Sequence, residues 1–209
     1  MEGKLLVISG LSAAGKGTIA KALVGNFDNY CLSVSATTRE KRGQEQEGVD
    51  YFFKTKEQFD EMIKNGELLE YAKYVDNYYG TPKKYVEDRL KEGINVILEI
   101  EMQGALQIKK MYDKAILIFF TTSSARIQRE RLVKRNRDSR EQIEARVRQA
   151  IIDAEYAKHY DYVLVNETIE GSIKDIKDIV SGNYDKNKNI EAMKVLDKIV
   201  EDIKEEQNV

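Results

Sequence analysis

Four apolar runs, LLVIS (5–9), VILEI (96–100), AILIFF (115–120) and YVLV (162–165), are each bounded by turn residues. None alternates cleanly with polar positions, which is the pattern of strands covered on both faces. Helical periodicity fills the intervals: TIAKALV after Lys16, about 101–111, a long pair over about 123–136 and 139–158, and 171–181. Strands alternating with helices predict an α/β fold, a parallel sheet with helices on both faces.

The segment from about 30 to 92 is patterned differently. CLSVSATT alternates as a half-exposed strand would, and the polar stretch EKRGQEQEGVD follows. TKEQFDEMIKNG predicts a short helix, with Thr55 and Gln58 as a capping box and Gly66 as a C-terminal stop. ELLEYAKYV, the turn residues Asp76 and Asn77, and YYGTP predict a hairpin. These elements read as a mixed α+β lobe inserted into the core. At the other end, the polar linker GNYDKNKN precedes an apolar stripe at helical spacing formed by Met193, Leu196, Ile199, Val200 and Ile203. A helix over about 189–206, docked on its own domain, is favoured over a dimer contact.

Composition narrows the chemistry. With 34 basic and 36 acidic residues, the net charge of -2 gives no bulk attraction to nucleic acid or to anionic membrane. No run of about 18 apolar residues spans a bilayer. The opening MEGKLLVIS is short and acidic for a secretory signal, so a cytoplasmic protein is expected. One cysteine and one histidine exclude an intrachain disulfide and disfavour a His-based triad or a Cys/His metal site. Cys31 is read as a strand residue and His159 as a surface or packing residue.

GLSAAGKGT, comprising Gly10, Leu11, Ser12, Ala13, Ala14, Gly15, Lys16, Gly17 and Thr18, carries the strongest chemical signal. It matches G-x-x-x-x-G-K-[S/T] except that Gly17 delays the hydroxyl to Thr18. The setting, after a buried-type strand and before an amphipathic helix, is the one a phosphate-binding loop requires. There, backbone N–H groups and a helix N-terminus face phosphate oxygens, and Lys16 adds a mobile full charge. The central strand VILEIE ends with Glu99 and Glu101. Two apart on an extended strand, they are expected to share a face, at the end of the sheet where α/β folds bind ligands. They suit a hydrated Mg²⁺ or an acceptor phosphate.

SVSATTR, GVDYFF, GELLEYAKY, NYYGTP, EIEMQGA, ERLVKR and DYVLVN, together with the loop, resemble guanylate kinases in order and spacing from about Lys4 to Val180. The resemblance implies a P-loop core (1–34 and 93–183), a helical lid at about 126–148 within it, and a GMP-binding lobe (35–92). Residues 184–209, linker and terminal helix, lie outside it. It implies reversible transfer of the γ-phosphoryl group of ATP to GMP, and to dGMP, with Mg²⁺. By the same resemblance Arg39, Arg42, Tyr51 and Tyr79 hold the GMP phosphate, and Ser35, Glu70 and Thr81 read guanine. Glu99 and Glu101 also border GMP. Arg131, Arg135 and Arg146 serve the lid and donor, and Asn166 lies near the donor base. Lys16, Arg39, Arg135 and Arg146 are the expected catalytic set. Thr18, directly or through water, and Glu101, through water, are the expected metal contacts. The chain departs from the family at Glu101, where Asp is usual, and at Arg135-Asn136, where the family reads Arg-Gly.

Phosphoryl transfer to a phosphate monoester agrees with an enzyme that has one histidine, because the acceptor is already an anionic nucleophile. Arg131 and Arg135, four apart, share a helix face, and Arg137, Arg140, Arg146 and Arg148 follow. Glu130, Asp138, Glu141 and Glu144 are interleaved among them, which suits a lid better than a nucleic-acid patch. A kinase for another nucleoside monophosphate or a sugar phosphate stays open, with Glu70 and YYGT favouring guanine. A non-catalytic guanylate-kinase-like peptide-binding domain is the other alternative, and Lys16 with the lid arginines argues against it. A monomer or small homo-oligomer is expected.

Overall fold

The computed structural model describes residues 2–74, 76–136 and 138–207. Its elements run β1 (Leu5–Gly10), α1 (Lys16–Asn26), β2 (Tyr30–Leu32), β3 (Ala36–Thr37), β4 (Phe52–Phe53), α2 (Lys56–Lys64), β5 (Leu68–Tyr74) and β6 (Asn77–Pro82). They continue with α3 (Lys83–Lys91), β7 (Asn95–Glu99), α4 (Met102–Met111), β8 (Ile116–Thr121), α5 (Ala125–Arg135), α6 (Arg140–Ala157), β9 (Tyr162–Val165), α7 (Ile169–Ser181) and α8 (Lys186–Gln207).

The core sheet has the order β2-β7-β1-β8-β9, and every pairing in it is parallel. All six residues of β1 are buried, as are Val96, Ile97 and Leu98 of β7 and Leu117–Phe120 of β8. Burial on both faces explains why these runs lack alternation. The helices lie around this sheet: α1 against β2 and α7, α4 against β1 and β8, and α8 against β9.

A second sheet, β4-β3-β6-β5, is mixed. β3 and β4 are parallel, whereas β6 pairs antiparallel with both β3 and β5. Phe59 of α2, Leu68 and Ala36 form its small separate core. The capping box on α2 has both halves, Gln58 N–H donating to Thr55 Oγ1 and Thr55 N–H to Gln58 Oε1.

The structure alters three expectations. The single predicted strand CLSVSATT is two. β2 closes the edge of the core sheet, the chain leaves after the Ser33 N–H bonds Ile97 O, and β3 begins the lobe sheet. The expected polar linker is shorter, since α8 begins at Lys186, with Ala192, Leu196, Ile199 and Ile203 buried in the main core. Glu99 and Glu101 are not both strand residues: β7 ends at Glu99, and Glu101 is the extended N-cap of α4. Arg137 and Val75 lie outside the described residues.

Candidate active site

The phosphate loop joins β1 to α1, and α1 starts at Lys16. Gly15 holds φ 87°, and a Cβ there would lie 2.3 Å from Asn166 Nδ2, so the loop accepts only glycine at this point. Gly17 answers the departure from the usual motif. A Cβ there would stand 3.1 Å from Glu99 Oε2, so the missing side chain admits the Glu99 carboxylate to the loop. The displaced hydroxyl of Thr18 is not among the groups that line the adjoining cleft, and Thr18 is exposed.

Lys16 Nζ donates to Gly10 O at 2.8 Å and to Leu11 O at 3.0 Å, so its ammonium sits across its own loop. Burial lowers its pKa, and nearby Arg135 adds to that, while Glu99, Glu101 and Asp153 oppose the shift. The ammonium therefore stands among three carboxylates and a guanidinium.

A cleft of about 1190 Å³ runs between the loop, the second sheet and the helices α4, α5 and α6. Gly10, Ser12, Ala13, Gly15, Lys16, Gly17, Ser35, Tyr51, Glu70, Tyr79, Glu99, Glu101, Arg135 and Arg146 all line it, although they come from widely separated parts of the chain. Leu11, Ala14, Thr18, Arg39, Arg42, Thr81, Arg131 and Asn166 do not.

On the lobe side, Arg39 is buried. Its Nη2 donates to Glu45 Oε1 at 2.7 Å, its Nη1 donates to Glu40 O at 2.8 Å, and its Cζ lies 5.2 Å from the Tyr51 ring centre. The Tyr51 and Tyr79 rings meet edge to face at 6.1 Å. Arg39, Tyr51 and Tyr79 thus form one cluster, with Glu45 as a partner that the sequence did not single out. Arg42 is exposed and offers its backbone N–H to Glu45 Oε2.

Deeper in the lobe, Thr81 is fully buried and donates to Glu70 Oε1. Burial raises the Glu70 pKa, and the Thr81 hydrogen bond opposes it. Glu70 Oε2 points toward α4, where a Cβ on Gly104 would lie 3.3 Å away.

On the side of α5 and α6, Ser124 caps α5, and Ser139 with Gln142 caps α6. Asn136 ends α5 in the left-handed conformation, φ 49° and ψ 43°. The family's glycine fits that geometry at no steric cost, and asparagine is the next best residue for it. The Arg-Asn departure therefore preserves the turn. Arg146 pairs with Asp138 at 3.2 Å. Arg131 instead turns inward, its Nη2 donating to Asn166 O at 2.9 Å. Asn166 is itself committed to structure: its Nδ2 donates to Ala14 O at 2.7 Å, and its Oδ1 accepts from Ser172 Oγ.

Sequence reasoning missed Asp153. It is buried, accepts from Gln149 Nε2 at 3.1 Å, and lines the cleft. Burial raises its pKa, Glu101 adds to the rise, and Lys16 and the Gln149 bond oppose it. The signal was available as spacing: Arg146, Gln149, Asp153 and Tyr156 recur at intervals of three, four and three, one face of α6, and all four line the cleft.

A parallel sheet with this loop beside its central strand, a second mixed sheet and two helices that bring Arg135 and Arg146 to the same cleft define a P-loop kinase of nucleoside monophosphates. A family model described as guanylate kinase matches residues 2–183. The guanylate kinase of Oceanobacillus iheyensis is 43% identical over 201 residues, covering 96% of this chain and 97% of that protein. The crystal structure of guanylate kinase from Anaplasma phagocytophilum superposes with a TM-score of 0.63 at 33% identity, covering 90% of this chain and 89% of that one. The chain belongs to the guanylate kinase family.

Proposed function

We propose that the protein transfers the γ-phosphoryl group of ATP reversibly to GMP, and to dGMP, giving ADP and GDP or dGDP. The observation that carries this reading is the one cleft lined by both the Lys16 loop and the half-buried Glu70. Guanine presents N1–H and N2–H₂ side by side, two donors for one carboxylate. Thr81 already occupies Glu70 Oε1 from the far side, which fixes the carboxylate for this role.

The acceptor's phosphate oxygen forms the new bond to the γ-phosphorus. The bond from that phosphorus to the β,γ-bridging oxygen breaks, and ADP leaves with the electron pair. The acceptor is already anionic, so positioning and charge neutralisation carry the catalysis. Arg39, Arg42, Tyr51 and Tyr79 would hold the GMP phosphate, with Arg39 exchanging Glu45 for it. Ser35 would complete the base site from the cleft, and Thr81, off the cleft, would serve it through Glu70. Lys16 would leave the Gly10 and Leu11 carbonyls for the β- and γ-phosphates. Arg135 and Arg146 would neutralise the transferring group, while Arg131 and Asn166 support the donor side.

Mg²⁺ suits the donor set at the end of β7, where Glu99 and Glu101 line the cleft beside Lys16. Mg²⁺ is commonly held by one or two carboxylates, waters and substrate phosphates. Glu101 through water, and Thr18 only through water given its position off the cleft, would hold it. When bound it neutralises charge on the β- and γ-oxygens. We also place the enzyme in the cytoplasm, where its ATP donor is supplied. The test is ADP release, coupled to a spectroscopic assay, with ATP plus GMP, AMP, CMP or UMP. GMP is expected to be the strongly preferred acceptor, and equal turnover with AMP refutes the assignment.

A further inference from the structure

Within the phosphate loop, Ala13 adopts φ 63°, one of only two non-glycine residues at positive φ among the described residues. A left-handed alanine is unfavourable and persists only where its surroundings impose it. Both flanking carbonyls are gripped by side-chain amides. Asn166 Nδ2 donates to Ala14 O at 2.7 Å, and Gln128 Nε2 donates to Ser12 O at 3.2 Å. Gln128 lies on α5, 116 residues from Ser12, and is fully buried.

Gln128 makes little sense as a stabilising core residue. Its Oε1 is buried with no hydrogen-bond partner among the described residues. An orphaned acceptor disfavours the folded state, and an apolar residue of equal size would avoid it. What the amide does supply is a donor at the carbonyl next to the strained alanine. Arg131, one turn further along α5, donates to the backbone carbonyl of Asn166, so the same helix also braces the residue whose amide holds Ala14 O.

We propose that Gln128 is a positioning residue for the donor nucleotide. It acts through the Ser12 carbonyl, holding Ala13 left-handed so that the loop's N–H groups keep their aim at the phosphates, and it joins that geometry to the lid helix. This rests on the reading of the loop as the ATP site.

The test is ATP and GMP binding by calorimetry, with melting temperatures, in wild type and Gln128→Met, a near-isostere without the donor. The variant should weaken ATP by about tenfold, the worth of one such hydrogen bond. GMP affinity should hold within about twofold, and the melting temperature should be equal or higher, because the orphaned acceptor is gone. In an Ala13→Gly background, where positive φ is no longer strained, the same substitution should change ATP affinity by less than about threefold. Unchanged ATP affinity in Gln128→Met overturns the proposal, as does an equal loss in both backgrounds or a parallel loss of GMP. If Gln128→Met does not fold, Gln128→Leu replaces it, and failure of both to fold overturns the proposal by making Gln128 a packing residue. Wild type that binds no ATP removes the donor-site reading and this inference with it. Wild type that binds ATP beside an unaltered Gln128→Met removes this inference alone.

Discussion

Thr81 Oγ1 donates a 2.7 Å hydrogen bond to Glu70 Oε1 inside the lobe, and that hydroxyl is the one partner opposing the burial that raises the Glu70 pKa. A half-buried carboxylate with a raised pKa is held at a cost to stability. Glu70→Gln keeps the acceptor for Thr81 and removes the charge. It should raise the KM for GMP by about 10²-fold or more, because its NH₂ faces guanine donors. The same change should raise the melting temperature of the ligand-free protein at neutral pH, by about 2–4 °C per kcal/mol gained. The sign follows from linkage. A raised folded-state pKa means that the folded protein binds the proton more tightly, so wild-type stability falls as pH rises through the interval from the unfolded to the folded pKa. The advantage of Glu70→Gln should therefore be largest at neutral pH and shrink on acidification. Thermal melts between neutral and mildly acid pH check this, and a less stable Gln variant at neutral pH rules it out.

Much of this site was legible along the chain, for definable reasons. Phosphate binding concentrates its requirements in consecutive residues, so Gly10 to Thr18 can be read without a fold. The residues proposed to read guanine are spread across β5 and β6, and Glu70 and Thr81 emerged through motifs whose combination is specific. What escaped depends on tertiary placement. Nothing local marks Gln128 as buried against a loop 116 residues away. Asp153 did carry a helical spacing with Arg146, yet a charged face of a helix is ordinarily solvated, so only the fold shows it buried. The split of CLSVSATT into β2 and β3 has the same origin: a continuous alternation cannot reveal that the chain changes sheets between Leu32 and Ala36.

Lys16→Ala should leave the fold intact and lower kcat by about a hundredfold or more, the usual cost of losing a charge that stabilises the transferring phosphoryl group. Among the described residues its hydrogen bonds reach only carbonyls of its own loop, so their loss leaves distant packing in place. Steady-state kinetics on variant protein with a wild-type circular dichroism spectrum is the measurement. A kcat within a few fold of wild type removes Lys16 from the chemistry.

Arg135 and Arg146 line the cleft from α5 and α6, whereas Arg39 belongs to the lobe cluster with Tyr51 and Tyr79. Alanine at Arg135 or Arg146 should lower kcat by about 10- to 10³-fold, with little change in GMP affinity. Alanine at Arg39 should weaken GMP binding itself. Calorimetric titration of GMP separates the two groups, and loss of GMP binding in Arg135→Ala or Arg146→Ala with ATP binding intact contradicts the division.

The terminal helix α8 lies beyond the 2–183 span of the family model, yet it is not an appendage. Ala192, Leu196, Ile199 and Ile203 are buried in the main core, and Asn189 Oδ1 accepts the Val163 N–H on β9, the edge strand of the core sheet. Such an edge, left uncovered, presents unpaired backbone groups to other chains. Glu206 meets Arg129 of α5 at 2.7 Å, and Arg129 also grips Glu144 of α6, so the helix is tied to both. These contacts rank by burial. Leu196→Ala should cost about 2–5 kcal/mol through the cavity it opens. Glu206→Gln should cost under about 1 kcal/mol, because that pair is half exposed and screened. Removal of residues 184–209 should leave the protein aggregating or unfolded at temperatures where full-length enzyme is active. Urea denaturation of the two point variants and light scattering of the truncated protein decide the matter. A truncated protein that is monodisperse, with the wild-type melting temperature, would mean that the buried face of α8 contributes nothing.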